Sequence, residues 1–145
     1  LGFGGIGAFN QSAGEMTVQG VLRAGRSAGS TGIVTLKGGS FTVNGVTTIG
    51  YSGNGSFTQS GGTAKLSGLV LGYQSDHAGM GSYILNSADG VASLSSGYVE
   101  IGVVGGSGSF TQAGNTSHQV TGELRVGKAG SYTLNGATPR CGSSR

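Results

Sequence analysis

Residues 55–72, GSFTQSGGTAKLSGLVLG, contain three short β-strand signals separated by glycine and serine. The signals lie at 57–59, 64–66 and 69–71. Alternate side chains of a strand point to opposite faces, which puts Phe57 and Gln59 on one side and Thr58 on the other. Glycine between the signals favours tight corners, because it adopts positive φ without a steric penalty. The stretch therefore predicts one coil of a parallel β-solenoid.

The same pattern recurs along the whole chain. Its opening hydrophobic residue returns every 22 to 27 residues, at Phe9, Val34, Phe57, Tyr83, Phe110 and Tyr132. A fixed order of sub-motifs at such a period indicates a repeat architecture in which each repeat packs on its neighbours. We therefore expect an all-β parallel β-solenoid of about six coils with three short strands each, forming a single domain over residues 1–145. No window has a helical period, so we expect no helix.

Alternation along the first strand of each coil predicts which side chains face the core. The inward pairs include Phe9/Gln11, Phe57/Gln59, Phe110/Gln112 and Tyr132/Leu134, with glutamine and leucine alternating from coil to coil at the second position. Glutamines two coils apart lie roughly 10 Å from one another and cannot bond directly. Each buried amide must therefore find a partner at a nearby corner, because leaving it unpaired would cost about 1–3 kcal/mol.

Outward positions carry two further patterns. One column of the first strands runs Asn10, Thr35, Thr58, Ile84, Thr111 and Thr133. Threonine ladders occur in ice-binding solenoids, but the irregular neighbouring columns and the interruption by Ile84 favour ordinary β-propensity. On the third strands, Glu100 and Arg125 lie one coil apart and predict an exposed salt bridge of small energetic value.

Composition and charge exclude several classes of function. The chain has 145 residues, of which 33 are glycine, and a net charge of +3. Its basic residues are scattered and its aromatic residues face inward, whereas nucleic-acid binding uses a basic stripe with stacking aromatics. We therefore expect no nucleic-acid partner. The apolar runs are too short to cross a bilayer, so we expect no membrane insertion. The single cysteine permits no internal disulfide.

Candidate catalytic and ligand-binding motifs are weak. Residues 2–7, GFGGIG, match the dinucleotide fingerprint, but neither the following helix nor the acidic residue that it requires is present. Asp76 and His77 would form a metal or acid–base site only if a third group converged, and a solvated loop is favoured. His118 takes an inward position and is interpreted as a core histidine bonded to a corner carbonyl. We therefore predict no enzymatic activity, no cofactor and no metal site.

Three units show the repeat most clearly: GSFTQSGGT at 55–63, GSYILNSADG at 81–90 and GSFTQAGNT at 108–116. Together with third strands that end in LG or IG, they resemble the glycine-rich β-strand repeats of large bacterial surface proteins. These are the autotransporter-associated repeats and the repeats of proteins with cell-surface sorting signals. The resemblance covers essentially the whole chain. It implies a β-helical fold in a passenger stalk, adhesin or matrix fibre, and an extracellular or cell-surface location.

The two ends of the chain match two parts of one coil. Residues 136–145 followed by residues 1–2 align without a gap on residues 61–72. The alignment predicts either head-to-tail polymerisation, with each C-terminal part-coil completed by the next copy, or a segment of a longer repeat array. The residues expected at this subunit interface are Leu1, Gly2, Phe9, Gln11, Tyr132, Leu134, Thr138, Arg140, Cys141 and Arg145.

These observations favour a structural subunit of an extracellular filament or surface fibre, assembled from copies of itself stacked end to end. The alternative is an adhesive or carbohydrate-binding stalk segment of a larger surface protein, with surface glycans as partners. The glycan site would then lie at the edge that carries the loops of variable length, where insertions in repeat proteins collect. Its residues would be those of the loop 73–80 together with Tyr51 and Tyr73.

Overall fold

The computed structural model describes residues 1–74, 76–77 and 79–136. That part of the chain contains fourteen β-strands and no helix, and hence no helical membrane span. The strands are β1 (Ile6–Gln11), β2 (Glu15–Val18), β3 (Leu22–Ala24), β4 (Thr31–Leu36), β5 (Ser40–Ile49), β6 (Asn54–Gln59), β7 (Gly62–Leu71), β8 (Met80–Leu85), β9 (Ala92–Ser96), β10 (Val99–Ile101), β11 (Ser107–Ala113), β12 (Thr116–Val120), β13 (Leu124–Val126) and β14 (Gly130–Asn135).

The strands stack as a parallel β-solenoid, which confirms the predicted fold class. The first strands of the coils form a six-stranded sheet with the order β1-β4-β6-β8-β11-β14. The second strands stack as β2-β5-β7-β9-β12, and the third strands stack as β3-β5-β7-β10-β13. Every pairing is parallel and joins one coil to the next, so the sheets run along the axis of the solenoid.

The described residues make about five turns. Five coils have all three strand segments, and β14 is the first strand of a sixth. In coils two and three the second and third segments are continuous, giving the ten-residue strands β5 and β7. Their register shifts between Val43 and Val46, where the corner between two faces is made by an irregularity rather than by a break. Separate second and third strands occur in coils one, four and five.

The predicted column of opening hydrophobic residues is confirmed. The strand pairings align Phe9 with Val34, Val34 with Phe57, Phe57 with Tyr83, Tyr83 with Phe110, and Phe110 with Tyr132. The rings of Phe57 and Tyr83 stack with centroids 4.6 Å apart, and those of Tyr83 and Phe110 are 5.0 Å apart. These rings, with leucine, isoleucine and valine from the other two faces, form one continuous core.

Facing strands in the core have complementary volumes. In coil two the first strand contributes the small Val34, and Phe41 of β5 places its ring between Phe9 and Phe57, with centroid distances of 5.6 and 5.7 Å. In coil three the order is reversed, with Phe57 on the first strand and Ala64 on the second. Large and small side chains thus exchange sides between these two coils, which keeps the interior filled.

One corner of the solenoid is made of glycine on both sides. Gly50 ends a third strand with φ of 75°, and Gly55 lies inward near the start of the next first strand. A Cβ on Gly55 would overlap the amide nitrogen of Gly50, and it would lie 2.8 Å from the carbonyl oxygen of Ala24. The amide of Gly50 donates a 2.8 Å hydrogen bond to the carbonyl of Ala24. Backbone therefore packs directly on backbone at this corner, which only glycine permits.

Candidate functional site

The two ends of the coil stack expose positions that are buried in the middle. At the C-terminal end, Leu134 is 49% exposed, whereas Leu85, two coils earlier in the same column, is fully buried. Leu124 and Val126 of β13 are about half exposed, although Val99 and Ile101 directly before them are fully buried. These side chains face the axis of the solenoid, and no further coil covers them among the residues that the structure describes.

The N-terminal end shows the same feature. Met16 is 39% exposed, although Phe41 and Ala64 in the same column are buried, and Phe9 is half buried, with its ring packed on Phe41 of the next coil. Strands β1 and β2 each pair with one neighbour, so each leaves one row of main-chain groups without a strand partner. Of the predicted interface residues, Phe9 lies at this end, while Tyr132 and Leu134 lie at the other.

Leu1 and Gly2 occupy the place of a third strand that precedes coil one. The amide of Gly25 donates to the carbonyl of Leu1, and the amide of Arg26 donates to that of Gly2. The next coils repeat this arrangement, with the amides of Gly50 and Tyr51 donating to the carbonyls of Ala24 and Gly25. Leu1 and Gly2 thus make the main-chain contacts that the end of a third strand makes in the later coils.

Gln11 is turned away from the end face and into the core. Its Nε2 donates to the carbonyl of Gly14 at 2.9 Å and to that of Ser40, in the next coil, at 3.0 Å. Gln59 repeats this pattern with the carbonyls of Gly62 and Ser93. The prediction that each buried amide finds a partner at a corner is therefore confirmed.

The glutamine oxygens use a partner that was not predicted. Oε1 of Gln59 accepts a 2.6 Å hydrogen bond from the hydroxyl of Tyr83, one coil further on, and burial raises the pKa of that phenol well above its ordinary value. Oε1 of Gln11 is buried without a partner, since Val34 stands where tyrosine would be. The available signal was that both tyrosines of this column directly follow a glutamine-bearing coil.

A chain of polar side chains lies beneath the C-terminal end face. The Tyr132 hydroxyl donates to Oε1 of Gln112 at 2.8 Å, and Nδ1 of His118 lies 3.0 Å from the same hydroxyl. Because that hydroxyl proton is directed at Gln112, Nδ1 carries the proton donated to Tyr132. Nε2 of His118 then accepts from Ser96 at 2.9 Å. With a neutral imidazole, each donor in this series of hydrogen bonds therefore has an acceptor.

Burial shifts the titration of both ionisable groups in this chain. Loss of hydration lowers the pKa of His118 to about 4 and raises the pKa of Tyr132 to about 12. His118 faces inward and stacks on Phe110, with centroids 4.8 Å apart. Its predicted place in the core is therefore confirmed, but the expected corner carbonyl was wrong, because both ring nitrogens bind side chains.

Four residues of the predicted interface, Thr138, Arg140, Cys141 and Arg145, lie outside the described residues. Two residues of the loop 73–80, Ser75 and Ala78, also lie outside them. In the rest of that loop, the amide of Gly79 donates to the carbonyl of Gln74, whose side chain accepts from Ser52. Over the part of the chain that the structure describes, no three metal-ligating side chains converge around His77 or elsewhere.

The face formed by the third strands carries a cluster of charged and aromatic side chains. Arg125 contacts Glu100 at 3.5 Å, as predicted, and also Glu123 at 2.8 Å, which was not predicted. Tyr51 and Tyr73 stack with centroids 4.9 Å apart, and the guanidinium of Arg23 lies 4.8 Å from the Tyr51 ring. A cleft of about 310 Å³ runs beside these groups.

No protein-family model, curated protein sequence or solved structure matches this chain.

Proposed function

We propose that this protein is a non-enzymatic structural subunit of an extracellular filament or surface fibre, built by stacking the end face of one copy on that of the next. The exposure of the core columns at both ends of the stack carries the proposal. Leu134 illustrates it, since it is half exposed in a column whose other leucines, Leu36 and Leu85, are fully buried. Hydrophobic columns that end in solvent are a surface for a further coil.

The contact would gain free energy from two sources. Covering a half-exposed leucine or valine contributes roughly 1 kcal/mol, about half the value of burying the whole side chain. Leu124, Val126 and Leu134 each offer this at the C-terminal end. The edge strands at both ends also offer main-chain groups that a parallel strand of another copy can pair with.

The geometry of the stack sets the expected repeat. Coils are spaced by about 4.8 Å, so about six coils would advance a filament by ~29 Å per subunit. Tyr132 of one copy would then take the position before Phe9 of the next, continuing the aromatic column. Leu134 would meet Gln11, which preserves the alternation of leucine and glutamine along the core.

Electron microscopy and sedimentation velocity of the purified chain test the proposal. We expect unbranched filaments whose assembly is lost in Leu134→Glu, because a carboxylate cannot be covered by an apolar coil without a large desolvation cost. Thr133→Glu is the matched control, since it places the same charge on the same strand but on its outward side. Wild-type particles that stay at the length of one copy, or equal loss of assembly in both variants, would overturn the proposal.

A second candidate function is glycan binding in an adhesive stalk. It is favoured by the cleft on the third-strand face, where Tyr51, Tyr73 and Tyr98 lie between Arg23 and Glu100. Aromatic rings beside charged hydrogen-bonding groups suit a sugar, which has both apolar faces and hydroxyl edges. On a glycan array we expect binding that is lost in Tyr98→Ala, and a wild-type chain that binds no glycan removes this candidate.

A further inference from the structure

The outer surface of the six-stranded sheet has no charge. None of the residues of β1, β4, β6, β8, β11 and β14 is charged. One outward column runs from Ala8 to Ser131, with serine in four of the six coils, and the next runs from Asn10 to Thr133, with threonine in four. We call this surface, with its two hydroxyl-rich columns, the flat face.

The other two faces of the solenoid do carry charge. Glu15 and Lys65 project outward from the second strands, and Arg23, Glu100 and Arg125 project from the third strands. The charged side chains of the described residues are few, but they are distributed over these two faces, the corners and the loops. The neutrality of the flat face is therefore a property of this surface and does not simply follow from the composition of the chain.

A continuous stack of rings lies beneath the flat face. The ring planes of Phe57 and Tyr83 differ by 15°, and those of Tyr83 and Phe110 and of Phe110 and Tyr132 by 9° each. The central and C-terminal first strands therefore rest on one closely packed aromatic column.

The relief of the flat face suits contact with a similar surface. A groove of about 370 Å³ crosses β6, β8 and β11, with Gly55, Gly81 and Gly108 among the residues that line it. Ser82 forms part of one wall and Met80 part of another. Small serine and threonine side chains of a facing sheet can enter such a groove and exchange hydrogen bonds, as in the interdigitated sheets of a steric zipper.

We propose that the flat face packs on the flat face of a second copy, so that the filaments pair side by side. Six strands spaced by about 4.8 Å, with six residues of about 3.3 Å each, give a surface of ~29 by ~20 Å. Two such surfaces bury ~1,200 Å², which lies at the lower limit for a stable interface. One pair of copies therefore associates weakly, whereas copies stacked in a filament add their contacts along its length. In this respect the inference rests on the proposed end-to-end assembly.

A second copy is the occupant that fits the chemistry of the flat face best. A charged partner would find no complementary charge on it, and its desolvated ions would be left unpaired. A copy of the same surface brings the same small hydroxyl side chains, together with Met80 and Ile84, which are 53% and 40% exposed. Face-to-face contact of identical surfaces also closes as a two-fold pair and stops at two.

The test compares two double variants with the same added charge. Thr58→Lys/Thr111→Lys places two lysines in the centre of the flat face, on β6 and β11. Ser40→Lys/Ser93→Lys places two lysines on the outward side of β5 and β9, inner strands of the second-strand face. Filament width is measured by electron microscopy, and the association of short assemblies by sedimentation equilibrium at high protein concentration.

We expect paired filaments for the wild type and the control, and single filaments of unchanged length for the flat-face variant. Wild-type filaments that remain single, or pairing that survives in the flat-face variant, would overturn the inference. So would single wild-type filaments that bind ice or an insoluble neutral polysaccharide through the flat face. If no filament forms but copies pair in a way that the flat-face lysines abolish, the pairing holds and the end-to-end proposal fails.

Discussion

Gln59 ties three coil segments together with one buried amide. Its Nε2 donates to two carbonyls, those of Gly62 and Ser93, and its Oε1 accepts from the Tyr83 hydroxyl. Three of its hydrogen-bonding positions are thereby filled at a fully buried site. The consequence is specificity of register, because a coil displaced by one residue would leave a buried amide and a phenol without partners.

His118 makes the stability of the protein depend on pH. Its pKa is about 4 in the folded protein and 6.5 in a model peptide, so the unfolded chain binds a proton first as the pH falls. The contribution of neutral His118 to the free energy of unfolding is complete above pH 6.5, declines as the pH falls and is lost below pH 4. A shift of this size corresponds to about 3 kcal/mol. Urea unfolding at a series of pH values between 7 and 4 measures it.

The matched control for this prediction is His118→Leu. Leucine occupies the equivalent position of the preceding coil, Leu94, so the substituted side chain has a precedent in the same column. The variant leaves the Tyr132 hydroxyl without its imidazole partner, which lowers stability at every pH. Its stability should nevertheless change less between pH 7 and 4 than that of the wild type. A wild-type profile that is flat over this range would contradict the assignment.

At the scale of the strands, coil two differs from its neighbours because its second strand, and not its first, supplies the aromatic ring. Its first strand has Val34 in the ring column, and its second strand supplies Phe41 to fill the space. The exchange leaves Oε1 of Gln11 without the tyrosine hydroxyl that serves Gln59 and Gln112. Packing is thus maintained in coil two while one hydrogen bond is given up.

This exchange predicts strong coupling between two strands. Val34→Tyr alone should destabilise by about 1–3 kcal/mol through overpacking, and Phe41→Ala alone by about 3–5 kcal/mol through a cavity. In the double variant the new ring fills the cavity, and its hydroxyl can reach Gln11 as that of Tyr83 reaches Gln59. We therefore expect the double variant to be more stable than Phe41→Ala, measured by denaturant unfolding in a double-mutant cycle.

Val34→Leu combined with Phe41→Ala provides the comparison, since leucine fills part of the space without a hydroxyl. The tyrosine combination should be the more stable of the two by about 1 kcal/mol, the value of a typical hydrogen bond. If the effects of Val34→Tyr and Phe41→Ala simply add, the two side chains do not share one space, and the proposed complementarity is wrong.

Much of this element-level arrangement could be predicted from the sequence. Alternation placed Phe57 and Gln59 inside and Thr58 outside, and the common period placed Phe9, Val34 and Phe57 in one column. Both follow from local rules, because a strand has a period of two and a coil has a fixed rise. The same rules predicted an exposed contact between Glu100 and Arg125.

The rest depends on contacts that the linear pattern does not contain. Whether β5 and β7 continue through a corner is decided by backbone geometry, as between Val43 and Val46. The Asn-Gly pair between these two residues signals a turn, but it does not say whether the strand pairing continues through that turn. The partners of His118 come from β9 and β14, on two different faces. Their convergence depends on how wide the coil is, which alternation alone does not specify.

At the scale of the whole molecule, stability should fall from the centre of the stack towards its ends. Each coil contacts only its neighbours, so an end coil has one inter-coil interface where a central coil has two. We expect backbone amides of β6 and β7 to be the most protected from hydrogen exchange, and those of β1 and β13 to exchange fastest. Exchange measured by mass spectrometry on the dilute protein gives this profile.

Assembly should then change the profile at the ends alone. As protein concentration rises, the amides of β1 and β13 should gain protection, while those of β6 and β7 stay unchanged. Leu134→Glu serves as the control and should keep its ends open to exchange at every concentration. Uniform protection along the stack at low concentration would contradict the nearest-neighbour description.

The glycine corner of Gly50 and Gly55 recurs in each described coil, so the length of the molecule depends on the number of coils. In each described coil, a glycine ends the third strand and another lies near the start of the next first strand, and the two are in close backbone contact. The loop of variable length lies between these two glycines. Each coil is therefore joined to the next by the same backbone geometry, whatever its loop or core residues. A duplicated coil inserted at this point would meet two junctions that the chain already contains. Duplication of the gene segment for one coil would therefore lengthen the solenoid by one coil spacing without any change to the existing core.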